Sequence, residues 1–150
     1  MHATQSPGLD EFVGSWRLLS AGVTMSDTKE RIEIYGPNPA GYMVLSVGGR
    51  IMFLFTNAER PTPNSDSDRA KLFSSLTAYT GRVRIDAPGR FITTVDLAWN
   101  PEFRGEQVRF FSLDGDRLMI QSPEQTHPQY RDRLLVADLI WVREDITKNS

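Results

Sequence analysis

The sequence predicts an all-β chain: an up-and-down antiparallel meander closed into a barrel, with one helix inserted midway. Three observations predict it. About nine runs of strand length alternate or concentrate apolar side chains, each bounded by Gly, Pro, Asn or Asp. Consecutive runs are mostly joined by turns too short for crossovers, the clearest being Asp114-Gly115-Asp116 between residues 107–113 and 117–121. A single segment, beginning near residue 66, repeats apolar residues at helical spacing. A meander of this many strands best hides its unpaired edges by closing on itself.

Size and charge bound the rest. A chain of 150 residues is expected to form one domain over 1–150, with 1–8 and 145–150 frayed. Such a domain buries roughly 70% of its unfolded surface and needs no staple. None is available, because there is no cysteine, which also removes thiolate metal sites and a thiol nucleophile. With 17 basic and 19 acidic residues, net charge −2, there is no electrostatic footprint for nucleic acid. Residues 1–8 lack the pattern of a signal peptide, and no apolar run approaches the roughly 18 residues of a membrane span. The expectation is a soluble cytoplasmic protein without nucleic-acid or membrane partners.

In order along the chain, residues 9–13 make one helical turn. Residues 14–24 form a long strand with Trp16 and Leu18 on one face and Arg17 and Leu19 on the other, bent or bulged at Gly22. Residues 29–35 alternate charged and apolar side chains until Gly36-Pro-Asn-Pro39 ends the ladder. Residues 41–47 and 50–56 form a hairpin through Gly48-Gly49, and both strands are apolar on both faces. One face fills an interior; the other calls for a helix or a second subunit to cover it. Leu72, Phe73, Leu76 and Tyr79 recur at helical spacing behind an N-cap at Asp66 or Ser67, and this helix is the natural cover. Strands follow at 81–86, 91–99, 107–113, 117–121 and 134–142.

The residues suited to chemistry are few. Tyr35 and Tyr42 flank the proline-rich turn, and each either offers its hydroxyl to a ligand or anchors the turn. Thr94, Asp96 and Ala98 share one face of their strand; Thr93, Val95, Leu97 and Trp99 share the other; on the next strand Gln107, Arg109 and Phe111 oppose Val108 and Phe110. If the polar faces point inward, Asp96 and Arg109 form a buried pair. If outward, they are ordinary surface charges, the commoner outcome. His2 and His127 lie in a terminus and a polar loop with no metal-ligand spacing. Asp66 and Asp68 lack the glycine and distant glutamate of a calcium loop, so helix capping explains them better. No metal site, cofactor or assignable catalytic residue is expected.

Gly14-Ser-Trp-Arg-Leu18 places a Gly-x-Trp on the first strand after a helical turn. With Tyr35-Gly-Pro-Asn-Pro-Ala-Gly-Tyr42, Ala78-Tyr-Thr-Gly81, Trp99-Asn-Pro101, Gly105-Glu-Gln-Val-Arg-Phe-Phe111, Leu113-Asp-Gly-Asp-Arg-Leu118 and Trp141, the chain resembles the bacterial and fungal lipocalin-like domain family over nearly its whole length. The resemblance implies a calycin-type barrel with a central cavity, and Trp16 at its closed end. Arg143 is the candidate to stack on that tryptophan. The pattern often has histidine where this chain has Thr93-Thr94 and an aromatic at Val83, so chemistry resting on that histidine does not carry over. The expected function is binding of a small, mostly apolar molecule, with Phe53, Phe55, Trp99 and Phe111 as apolar lining and Tyr35, Tyr42, Thr94, Asp96 and Arg109 as polar groups. The alternative is a cofactor-free isomerase or cyclase using Asp96, Arg109 or a tyrosine. A third reading makes the doubly apolar strands a homodimer face.

Overall fold

A computed structural model describes residues 8–127, 130 and 132–144; His2 and both expected frayed ends, apart from Gly8 at the first, lie outside them. The strands are β1 (Gly14–Met25), β2 (Arg31–Glu33), β3 (Ala40–Leu45), β4 (Arg50–Thr56), β5 (Leu76–Ala87), β6 (Arg90–Ala98), β7 (Gly105–Asp114), β8 (Arg117–Gln121) and β9 (Leu135–Arg143), with helix α1 (Asp66–Ser74) between β4 and β5. Strands β3 to β9 pair each with the next, β9 pairs back onto β1, and β1 pairs with β3. Eight antiparallel strands thus close a barrel. The short β2 extends the β1 edge, pairing at Gly22–Thr24 where β3 no longer reaches.

Alternation decides what lies inside. On β3 and β4 the inward set is Gly41, Met43, Leu45, Ile51, Phe53 and Phe55. Opposite them stand Leu18, Phe91, Phe111, Leu118, Ile120 and Trp141, all buried in one core cluster. Gly41 is required there. A Cβ on it would lie 2.3 Å from the Phe55 Cβ and 2.9 Å from the Leu54 carbonyl oxygen, so the absent side chain is what lets β3 and β4 meet there.

The closed end is built from the turn before β1. Phe12 sits between Phe91 and Phe111 at ring separations of 5.9 and 5.2 Å. Trp16 donates its indole N–H to the Phe12 carbonyl at 3.0 Å. Arg143 lies 4.2 Å from the Trp16 ring centre and donates to the Val13 and Glu11 carbonyls at 3.1 and 2.6 Å. One guanidinium therefore ties the first turn to the last strand.

Several expectations change. The helix stops at Ser74, and its N-cap is Ser65, whose Oγ accepts from the Asp68 amide at 3.1 Å. Leu76 and Tyr79 belong to β5: their spacing of three satisfies a helix, but Thr77, Tyr79, Gly81 and Val83 alternate inward as strand residues. The helix buries none of its residues and does not cover the outer face of β3 and β4, where Tyr42, Val44, Met52 and Leu54 remain about half exposed. The irregularity in β1 falls between Leu18 and Ser20 rather than at Gly22. Gly22 instead leaves room for the Arg31 guanidinium, which lies across it to reach Glu33 and, at 2.7 Å, Asp138.

Candidate functional site

The end of the barrel opposite Trp16 is where a site forms. Three local structures shape its rim. The turn after β2 carries Tyr35, fully buried, whose hydroxyl shares a 2.6 Å hydrogen bond with Thr77 of β5. Asn100 caps a short 3-10 turn, accepting from the Glu102 amide at 3.0 Å, with Pro101 preset for its first position. That turn directs Phe103 over the opening. The segment after β8 is pinned to β9 by mutual bonds of Ser122 and Ala137, the Ser122 Oγ accepting from the Ala137 amide at 2.8 Å, and by Gln125 pairing with Leu135. His127 follows directly and packs edge-on against Phe103, ring centres 6.1 Å apart.

These elements enclose a cavity of about 60 Å³. Val23, Ile34, Phe55, Ile120, Ala137 and Leu139 give it an apolar wall; Tyr35, Thr77, Tyr79, Arg109, Ser122, Gln125 and His127 give it polar groups. Outside it an open cleft of about 800 Å³ runs along the segment from Asn57 to Ser75, and Ile34 borders both spaces. An aromatic chain closes the mouth. Phe73 of α1 meets Trp99 at 6.1 Å, Trp99 meets Phe103 at 4.7 Å, and Phe103 stacks on Tyr79 at 6.0 Å. Trp99 also donates its N–H to the Phe73 carbonyl at 2.9 Å, so the helix is tethered to the rim.

Burial sets the protonation of the polar groups. The Tyr35 and Tyr79 phenols are pushed above their ordinary value by loss of water, an effect opposed at Tyr35 by Thr77 and at Tyr79 by the adjacent Arg109. Removal from water, helped by the Arg109 charge, lowers His127 from 6.5 to about 4, so its imidazole is neutral at pH 7. Arg109 donates to the Val108 carbonyl at 2.7 Å and to Gln107 Oε1 at 3.1 Å.

Of the residues singled out in the sequence, Tyr35, Phe55 and Arg109 border the cavity. Phe53 points inward beside Tyr79 and Trp141, at 4.9 and 5.9 Å, and Phe111 lies toward the closed end against Phe12. Trp99 stands in the rim. Tyr42, Thr94 and Asp96 are exposed on the outer surface, where Asp96 is held by a two-point contact with Arg50 at 3.0 and 3.1 Å. Asp96 and Arg109 therefore form no pair. The register explains why: Phe91 stands opposite Arg109 and Thr93 opposite Gln107, so Arg109 shares the face of Thr93, not that of Thr94 and Asp96. Sequence reasoning missed Tyr79, Phe103 and His127 as neighbours of Arg109. Tyr79 was open to discovery from the strand alternation after Gly81; His127, on a loop, carried no such signal.

An eight-strand antiparallel barrel, closed at one end by a stacked tryptophan–arginine pair and hollow at the other, defines the class of barrels suited to small-molecule binding. The chain belongs to the lipocalin-like domain family, whose model it matches over residues 13–144. Among curated proteins, none matches the chain. Among the described residues no helix is long and apolar enough to cross a membrane.

Proposed function

We propose that the protein binds a small, mostly apolar molecule inside the barrel, in the cavity between Tyr35, Phe55, Tyr79 and Arg109. The observation that carries this reading is the interior cavity itself, with an apolar wall and a few convergent polar groups. Burial of the ligand's apolar surface, at about 25 cal/mol per Å², drives binding. A cavity of about 60 Å³ is far below the several hundred Å³ of drug-sized pockets, so the ligand has only a few non-hydrogen atoms. A cytoplasmic setting fits a chain without cysteine. Acid–base catalysis through Asp96 and Arg109 has no support, since the barrel wall separates them.

Saturation-transfer NMR with a library of small fragments tests the proposal. Fragments should bind the wild-type chain and lose binding to Ala137→Leu, which fills the cavity from β9. Hits that survive the filled cavity, or no hits at all, would overturn it.

A second copy of the chain is the partner we propose for the outer face. Val44, Met52, Thr80 and Leu97 stand in register across β3 to β6, with Tyr42, Leu54 and Ala78 in the adjoining row. The exposed apolar members are what favours a homodimer made by stacking this panel on itself. Leu54→Glu should then yield monomer by sedimentation; a wild-type chain already monomeric at high concentration contradicts it.

A further inference from the structure

We infer that the ligand is a short-chain monocarboxylate, its carboxylate held by Arg109 and its alkyl end against Phe55, Ile120 and Leu139. This rests on the cavity reading above and names the chemistry that the cavity selects. Arg109 projects inward from β7 and borders the cavity, yet among the described residues no carboxylate lies within ion-pair distance of it. Its bonds go to neutral acceptors, the Gln107 side chain and the Val108 carbonyl, with the Tyr79 hydroxyl also in its reach. A guanidinium carries five N–H donors, so these three contacts still leave donors for a ligand. The titratable groups that border the cavity with it add no negative charge at neutral pH: Tyr79 and Tyr35 are neutral phenols and His127 is a neutral imidazole, while Glu102, whose charge is felt at His127, stands outside the lining. The cavity therefore carries one positive charge in surroundings of low polarity, where an anion that accepts two parallel N–H bonds is favoured over a neutral or cationic molecule.

The group a small acid would use there is the Arg109 guanidinium, which can form a fork with a carboxylate at the cavity wall. The cavity volume limits the remainder to roughly two to four carbons.

The test is titration of the full chain with linear acids from acetate to octanoate, each compared with the primary alcohol of equal length, followed by NMR shifts of the Ile120, Leu139 and Val23 methyls. The proposal expects acids to bind at least about 30-fold more tightly than the matched alcohols, with affinity peaking at short chains. Arg109→Met should weaken acid binding about 30-fold and leave the alcohols within about threefold; Arg109→Lys, keeping the charge but not the fork, should fall between. Acids and alcohols of equal affinity would overturn carboxylate recognition while the cavity reading survives. Inner methyls unmoved by any probe would overturn both. The acid–alcohol comparison needs no variant, so a misfolded substitution leaves the proposal exposed to refutation.

Discussion

Acidification from pH 7 to pH 5 should destabilise this barrel through His127. The imidazole titrates near 6.5 when the chain is unfolded and at about 4 in the folded barrel. A histidine with a lowered folded value binds more protons unfolded than folded between those limits, so stability falls as pH drops through that window. The full shift of about 2.5 units corresponds to about 3 kcal/mol. Between pH 7 and pH 5 the part realised is about 2 kcal/mol. Urea unfolding of the wild type and His127→Gln at steps across that range isolates the contribution. Asp27, Asp86 and Asp96, lowered by bonding to Arg133, Arg90 and Arg50, lose their effect only at the acid end, and equally in both proteins. The wild type should lose about 2 kcal/mol more than the variant on going from pH 7 to pH 5. Parallel pH profiles would refute the buried, neutral histidine at the mouth.

Two other substitutions address the framework. Arg143→Gln removes the guanidinium from Trp16 and from the Val13 and Glu11 carbonyls; a loss of about 2–4 kcal/mol, read as a lower urea midpoint with unchanged slope, is expected. Gly41→Ala sets a methyl against the Phe55 Cβ and the Leu54 carbonyl oxygen and should cost about 1–3 kcal/mol in the same assay, with no relief in a Phe55→Leu background, which keeps those atoms.

How much of this was legible in the sequence depends on the interaction concerned. Strand order and closure were readable because alternation and turn residues act locally, and Gly48-Gly49 and Asp114-Gly115-Asp116 lie at hairpin turns. Trp16 was recognisable through the family pattern, and Arg143 through its place beside Trp141. Parity showed which side chains share a strand face but not which face is inside. That was decided by the pairing of β6 with β7, which turned Arg109 inward and left Asp96 outside to meet Arg50. The end of α1 was hidden because Phe73, Leu76 and Tyr79 fit a helical spacing as well as a helix followed by a strand. The place of His127 depends on Ser122 and Gln125 fastening their segment to β9, contacts between residues that no local periodicity connects.

Methyl-resolved NMR of the chain, with a short carboxylic acid added, separates binding inside the barrel from binding on its surface, because inner and outer methyls report on different sites. Shifts are expected at Val23, Ile34, Ile120, Ala137 and Leu139, with Val44, Met52, Leu54 and Leu97 unmoved. Shifts confined to the outer row, or to neither set, would contradict it.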